Sequence, residues 1–102
     1  MSIDERKLLE FKMKLEDFVY DMNLLSNEFN ERASVLETII DEIKYLTDLP
    51  KINKEEINTL INTFIILSKL SIDKLINELN KKKKELETIE KKWGEIYGDN
   101  TN

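Results

Sequence analysis

TDLPKINKEE, residues 47–56, decides the fold. Pro50 lacks a backbone donor and excludes the helical conformation from Leu49, so a helix arriving from the amino-terminal side stops at about residue 48. Asn53 then starts another. Its side-chain oxygen can accept the free N–H groups of a helix start, and Glu56 follows three positions on. Ser2 with Glu5 is the same device in its S-x-x-E form. The chain therefore reads as helix 1 over about 3–48, a turn over about 49–53 and helix 2 over about 54–97. Gly98 is placed to act as a left-handed cap after Tyr97, which leaves 98–102 as a frayed tail. The 102 residues include only 2 glycines and 1 proline, too few for the tight turns of a small sheet protein. A chain of this length is one domain by expectation, a single helical hairpin over 1–102.

Working outward from the turn, helix 1 carries a heptad pattern. Leu8, Phe11, Leu15, Phe18, Met22, Leu25, Phe29, Arg32, Leu36, Ile39, Ile43 and Leu46 follow one another at spacings of three and four. Arg32 alone is polar. Helix 2 carries two segments in different frames. Ile57, Leu60, Phe64 and Leu67 form the first; Ile72, Leu75, Leu79, Lys82, Leu86, Ile89, Trp93 and Ile96 form the second. One extra residue near Leu70 and Ser71 separates them. Folding at Pro50 pairs Ile43 with Leu60 and Leu36 with Leu67. Past the extra residue it pairs Leu25 with Leu79, Phe18 with Leu86, Phe11 with Trp93 and Leu8 with Ile96. A continuous apolar seam results, and the fold class is all-α: a long antiparallel two-helix hairpin, coiled-coil-like.

Arg32 falls opposite Ser68 and Ser71, beside the frame shift. A polar layer there fixes register, because misaligning it is costly; contact with a partner is the alternative. Lys82 can lay its methylenes on the seam and lift its charge to water.

Two helices bury one stripe each, so a bundle completed by a partner or a second copy is expected. Val19, Ala33 and Ile40 on helix 1, and Ile61 and Ile76 on helix 2, flank the seam and are apolar or small. Phe64, Ile65, Ile66 and Leu67 are consecutive and cover most of a turn, more than one neighbouring helix can bury. Val19, Ala33, Ile40, Ile61, Phe64, Ile65, Ile66, Ile76 and Trp93 are therefore the expected partner-binding residues. On the other flank Asp21 and Glu28 face Glu78 and Glu85, so that edge should stay in water or meet a basic partner.

The chain carries 16 Lys and Arg against 21 Asp and Glu, a net charge of −5. That balance disfavours nucleic acid and anionic membranes, whose binding needs clustered bases. Lys81 to Lys84 is the one basic run, and Glu85, Glu87 and Glu90 follow it directly. No stretch approaches a membrane span. The amino end has acids where a signal peptide has bases, so a cytoplasmic location is expected, compatible with export without a cleavable signal. With no His and no Cys, imidazole and thiolate chemistry is excluded, and the acids lie outside the seam with no apolar pocket to tune them. No enzyme activity, cofactor or metal is expected.

Trp93 is the only tryptophan, and Gly94 beside it costs about 1 kcal/mol inside a helix. A close approach by another backbone would account for that glycine. Length near 100, an antiparallel hairpin without cysteine, and the Trp93-Gly94 pair resemble the WXG-type proteins of Gram-positive type VII secretion. More specifically, it resembles the small helical partner proteins encoded beside LXG toxins. It departs from WXG proteins in two ways. Their Trp-x-Gly lies in the turn, and their export signal sets an aromatic and an acid four apart, whereas Tyr97 and Asp99 are two apart. The resemblance implies an adaptor that binds a toxin's helical amino-terminal domain, as a member without the export signal. The alternative is a self-associating homodimeric four-helix bundle of structural or regulatory role, with a phage as one source of such a module.

Overall fold

The computed structural model describes residues 4–101, with side chains to residue 98. It is an all-α helical hairpin: α1 spans Glu5–Thr47 and α2 spans Lys54–Thr101, and the described residues contain no strand. Asn53 caps α2 as expected, its Oδ1 accepting from the N–H groups of Glu55 (3.1 Å) and Glu56 (3.2 Å). Ser2 of the other expected cap lies outside the described residues. At the start of α1, Asp4 does the capping instead: its Oδ1 accepts from the Arg6 N–H at 3.0 Å.

At the end of α1, the Asp48 N–H donates to the carbonyls of both Lys44 and Tyr45. Thr47 Oγ1 donates to the Lys44 carbonyl at 2.9 Å. These bonds satisfy carbonyls that the break before Pro50 would orphan. The expected end of helix 2 is corrected. α2 continues through Gly94 and Gly98 to Thr101, and neither glycine has a positive φ, so Gly98 is not a left-handed cap and 98–101 stays helical.

The chain forms two compact units: Met1–Leu25 with Asn77–Asn102, and Ser26–Ile76. Ser26–Ile76 contains the turn. Leu46 and Ser71 are buried there, and Phe29, Leu36, Ile39, Ile43, Ile57, Leu60, Phe64 and Leu67 are half-buried. In the other unit Phe11, Ile89 and Ile96 form a buried cluster against which Phe18 packs. The Phe11 and Trp93 rings meet there at 5.4 Å between centroids, the pairing expected from the heptads.

The burial pattern corrects the second frame of α2. On α1 the expected heptad positions are buried or half-buried from Phe18 to Leu46, with Asp21 and Ala33 half-buried beside them, but Leu8 and Leu15 are each 40% exposed. On α2 they are Ile57, Leu60, Phe64, Leu67, Ser68, Ser71, Leu75, Glu78, Lys82, Glu85, Ile89 and Ile96. Leu60, Glu78 and Ile96 stand 18 residues apart, the interval of five 3.6-residue turns. Ile72, Leu79 and Leu86 were expected in the seam; they are 49%, 41% and 49% exposed. Each lies one residue, about 100°, beyond a position that is turned inward. The pairings of Leu25 with Leu79 and of Phe18 with Leu86 are therefore replaced by a seam that runs through Glu78, Lys82 and Glu85.

Candidate functional site

With Leu86 turned out of the seam, an apolar groove is present in the Met1–Leu25 and Asn77–Asn102 unit. Leu8, Phe11, Leu15, Leu86, Ile89 and Trp93 line it, with Lys12 and Glu90 on its rims, and it encloses about 740 Å³. Phe11 and Ile89 form its floor and are buried; Leu8, Leu15 and Trp93 are each about two-fifths exposed. Trp93 is held by Phe11 on one side and by Tyr97 at 6.0 Å on the other. Its ring therefore presents a fixed apolar face. Gly94 is the next residue, and nothing lies within 4 Å of where its Cβ would be.

The acidic edge is also corrected. It does not confront like charges, because lysines intervene. Lys82 Nζ donates to Asp21 Oδ2 at 3.0 Å and to Glu85 Oε2 at 2.8 Å, and lies 5.9 Å from the centre of the Phe18 ring. Its side chain is 16% exposed, so the methylenes do cover the seam, but the charge ends on carboxylates rather than in water. The hydrogen bonds to Glu85 and then Asp21 raise its pKa above the ordinary lysine value. In the Ser26–Ile76 unit Lys74 hydrogen-bonds Glu28, and this bond holds the Glu28 carboxyl below its usual range.

Of the expected partner-binding residues, Val19 and Trp93 belong to the grooved unit, and both are exposed. Ala33, Ile40, Ile61, Phe64, Ile65, Ile66 and Ile76 belong to the Ser26–Ile76 unit. Ile40, Ile61, Ile65, Ile66 and Ile76 are exposed there, while Ala33 and Phe64 are half-buried. Ser71 is buried and Ser68 and Arg32 are half-buried. The Ser71 hydroxyl donates to the Leu67 carbonyl at 2.7 Å, within its own helix. Among the described residues no hydrogen bond joins Arg32 to either serine.

Sequence reasoning assigned Leu8, Leu15, Leu79 and Leu86 to the seam and missed them as open surface. The available signal was the recurrence of apolar residues at 18 on helix 2, from Ile57 to Leu75 to Trp93, which favours a 3.6 over a 3.5 period. It also missed a second exposed set on α1, Leu9, Met13, Tyr20 and Leu24. The described residues hold no group of acids placed to bind a metal, and no helix long and apolar enough to cross a membrane. No protein-family model matches the sequence, and no curated protein or solved structure is similar to it at a significant level.

Proposed function

We propose that the chain is a non-enzymatic protein-interaction module that works by helix packing. One observation carries this reading. Among the described residues only Phe11, Leu46, Ile89 and Ile96 are buried hydrophobics, while Val19, Leu24, Ile61, Ile66, Leu70, Ile76 and Leu86 stay exposed. So many large apolar side chains left in water support a surface that a partner covers.

In its finer form the module is an adaptor that binds the helical domain of a secreted toxin in type VII secretion. It would meet that toxin in the cytoplasm before export. Support for the finer form is the resemblance carried by the cysteine-free hairpin and Trp93-Gly94. Self-association as a four-helix bundle is the second reading, favoured by the mixed charges on the groove's rims.

The test replaces Ala33 and Ile61 with lysine together. Helicity measured by circular dichroism should persist, and co-purification with a toxin's helical amino-terminal domain should weaken, because two charges lose water without gaining partners. Retained helicity with undiminished binding places the toxin contact elsewhere.

A further inference from the structure

The groove lined by Leu8, Leu15, Leu86 and Trp93 is open in the single chain, and its rims carry opposite charges. We infer that a second copy of this chain fills it, packed face to face about a twofold axis that runs along the helices. The inference rests on the interaction-module reading and names the occupant of this groove.

Exposed apolar surface is the first argument. Leu8, Leu15 and Trp93 in the groove are each about two-fifths exposed and Leu86 is half exposed, apolar area that a single chain leaves in water.

Charge complementarity is the second argument, and it selects the axis. Lys12 lines the groove from α1, with Glu16 of its own helix 3.9 Å from its Nζ, and Glu90 lines it from α2. The Phe11–Trp93 contact sets their levels. Lys12 is one residue past Phe11 and Glu90 three before Trp93, so in an antiparallel pair they differ by about 3 Å along the axis. A twofold axis along the helices lays α1 of one copy over α2 of the other at the same level. Lys12 then meets the second copy's Glu90, and Glu90 meets the second copy's Lys12. An axis across the helices would stack α1 on α1 and set Lys12 against Lys12. Gly94 lies one turn from Glu90, and the open space over it lets the second backbone come close.

Sedimentation equilibrium on the full chain tests this. The wild type should be a dimer. Lys12→Glu and Glu90→Lys should each weaken self-association about ten-fold, since each turns two attractions into repulsions. An equimolar mixture of the two variants should regain wild-type association, as should the double variant. Leu86→Lys should weaken the dimer about a hundred-fold or more while helicity persists, because two charges enter the interface centre. A monomeric wild type overturns the inference and leaves the adaptor reading standing, with the groove open to a different partner. Unchanged association in both charge variants overturns it too. A double variant that stays dissociated overturns the choice of axis. Should Leu86→Lys lose helicity, the charge variants carry the test alone.

Discussion

Lys82 reaches from α2 to Asp21 on α1, Nζ to Oδ2 at 3.0 Å, and so places a cation at the seam between the two helices. Glu85, one turn on from Lys82, takes a second hydrogen bond from the same ammonium at 2.8 Å. The hydrogen bonds to Glu85 and then Asp21 favour the charged form by more than desolvation opposes it, so the folded chain holds this proton more tightly than the unfolded chain does. The contribution to stability is therefore complete below the ordinary lysine value of 10.5 and is lost as pH rises through the higher folded value. Thermal melts above that ordinary value should fall more steeply for the wild type than for Lys82→Met. Parallel alkaline limbs in the two proteins would show that the ammonium contributes nothing to folding.

The helical period of α2 yields a second prediction. Ile89 is buried at 8% exposure, whereas Leu79 is open at 41%. Ile89→Ala should cost about 2 kcal/mol, the low end for a buried isoleucine because the site borders the groove and can relax. Leu79→Asp should cost well under that, although an unbroken heptad would make it the more damaging change. Urea melts of both variants check the order. A larger loss for Leu79→Asp would restore the heptad seam.

The contrast between the helices explains what the sequence could reveal. Helix 1 was legible from Phe18 to Leu46 because its heptad residues there are apolar and keep a 3.5 spacing, with Arg32 the one exception. The turn was legible because Pro50 and Asn53 act locally, through steric exclusion and a side-chain acceptor. On helix 2 the pattern offers adjacent pairs, Ser71 with Ile72, Glu78 with Leu79 and Glu85 with Leu86. Hydrophobicity favours the second of each pair, yet the first turns inward. Lys82 helps to decide this, because its ammonium draws Asp21 and Glu85 to the seam's edge. Such a cross-helix bond links residues 61 apart in sequence and leaves no periodic trace. The groove was illegible in part for the same reason, since Leu86, turned out of the seam on helix 2, is one of its walls.

Gly94 and Gly98 both sit inside α2, with nothing within 4 Å of a Cβ at either position. Gly94→Ala and Gly98→Ala should each raise stability by up to about 1 kcal/mol, through helix propensity alone. Gly94→Ala should in addition weaken self-association measured by sedimentation, because it puts a methyl group where a second backbone comes close. Gly98→Ala serves as the control and should leave association unchanged. Equal association in the two variants would mean that Gly94 is not a point of close approach.

Arg32 is half-buried on α1 and forms no hydrogen bond among the described residues; its charge acts on Glu28, one turn before it. Its guanidinium is partly desolvated without a bonded partner to offset that loss, and replacing such a group with an apolar one commonly stabilises a protein. Arg32→Leu should therefore raise stability by about 1 kcal/mol, or roughly 4 °C in Tm for a chain of this size. The same change removes a group that penalises misaligned pairing, so the variant should sediment as a broader mixture of assemblies than the wild type. Melting followed by circular dichroism, with sedimentation on the same samples, measures both effects. A fall in Tm would show that the guanidinium makes a contact the fold depends on. A rise in Tm with a single sharp species would show that register is set without Arg32, by the Lys74–Glu28 bond nearby.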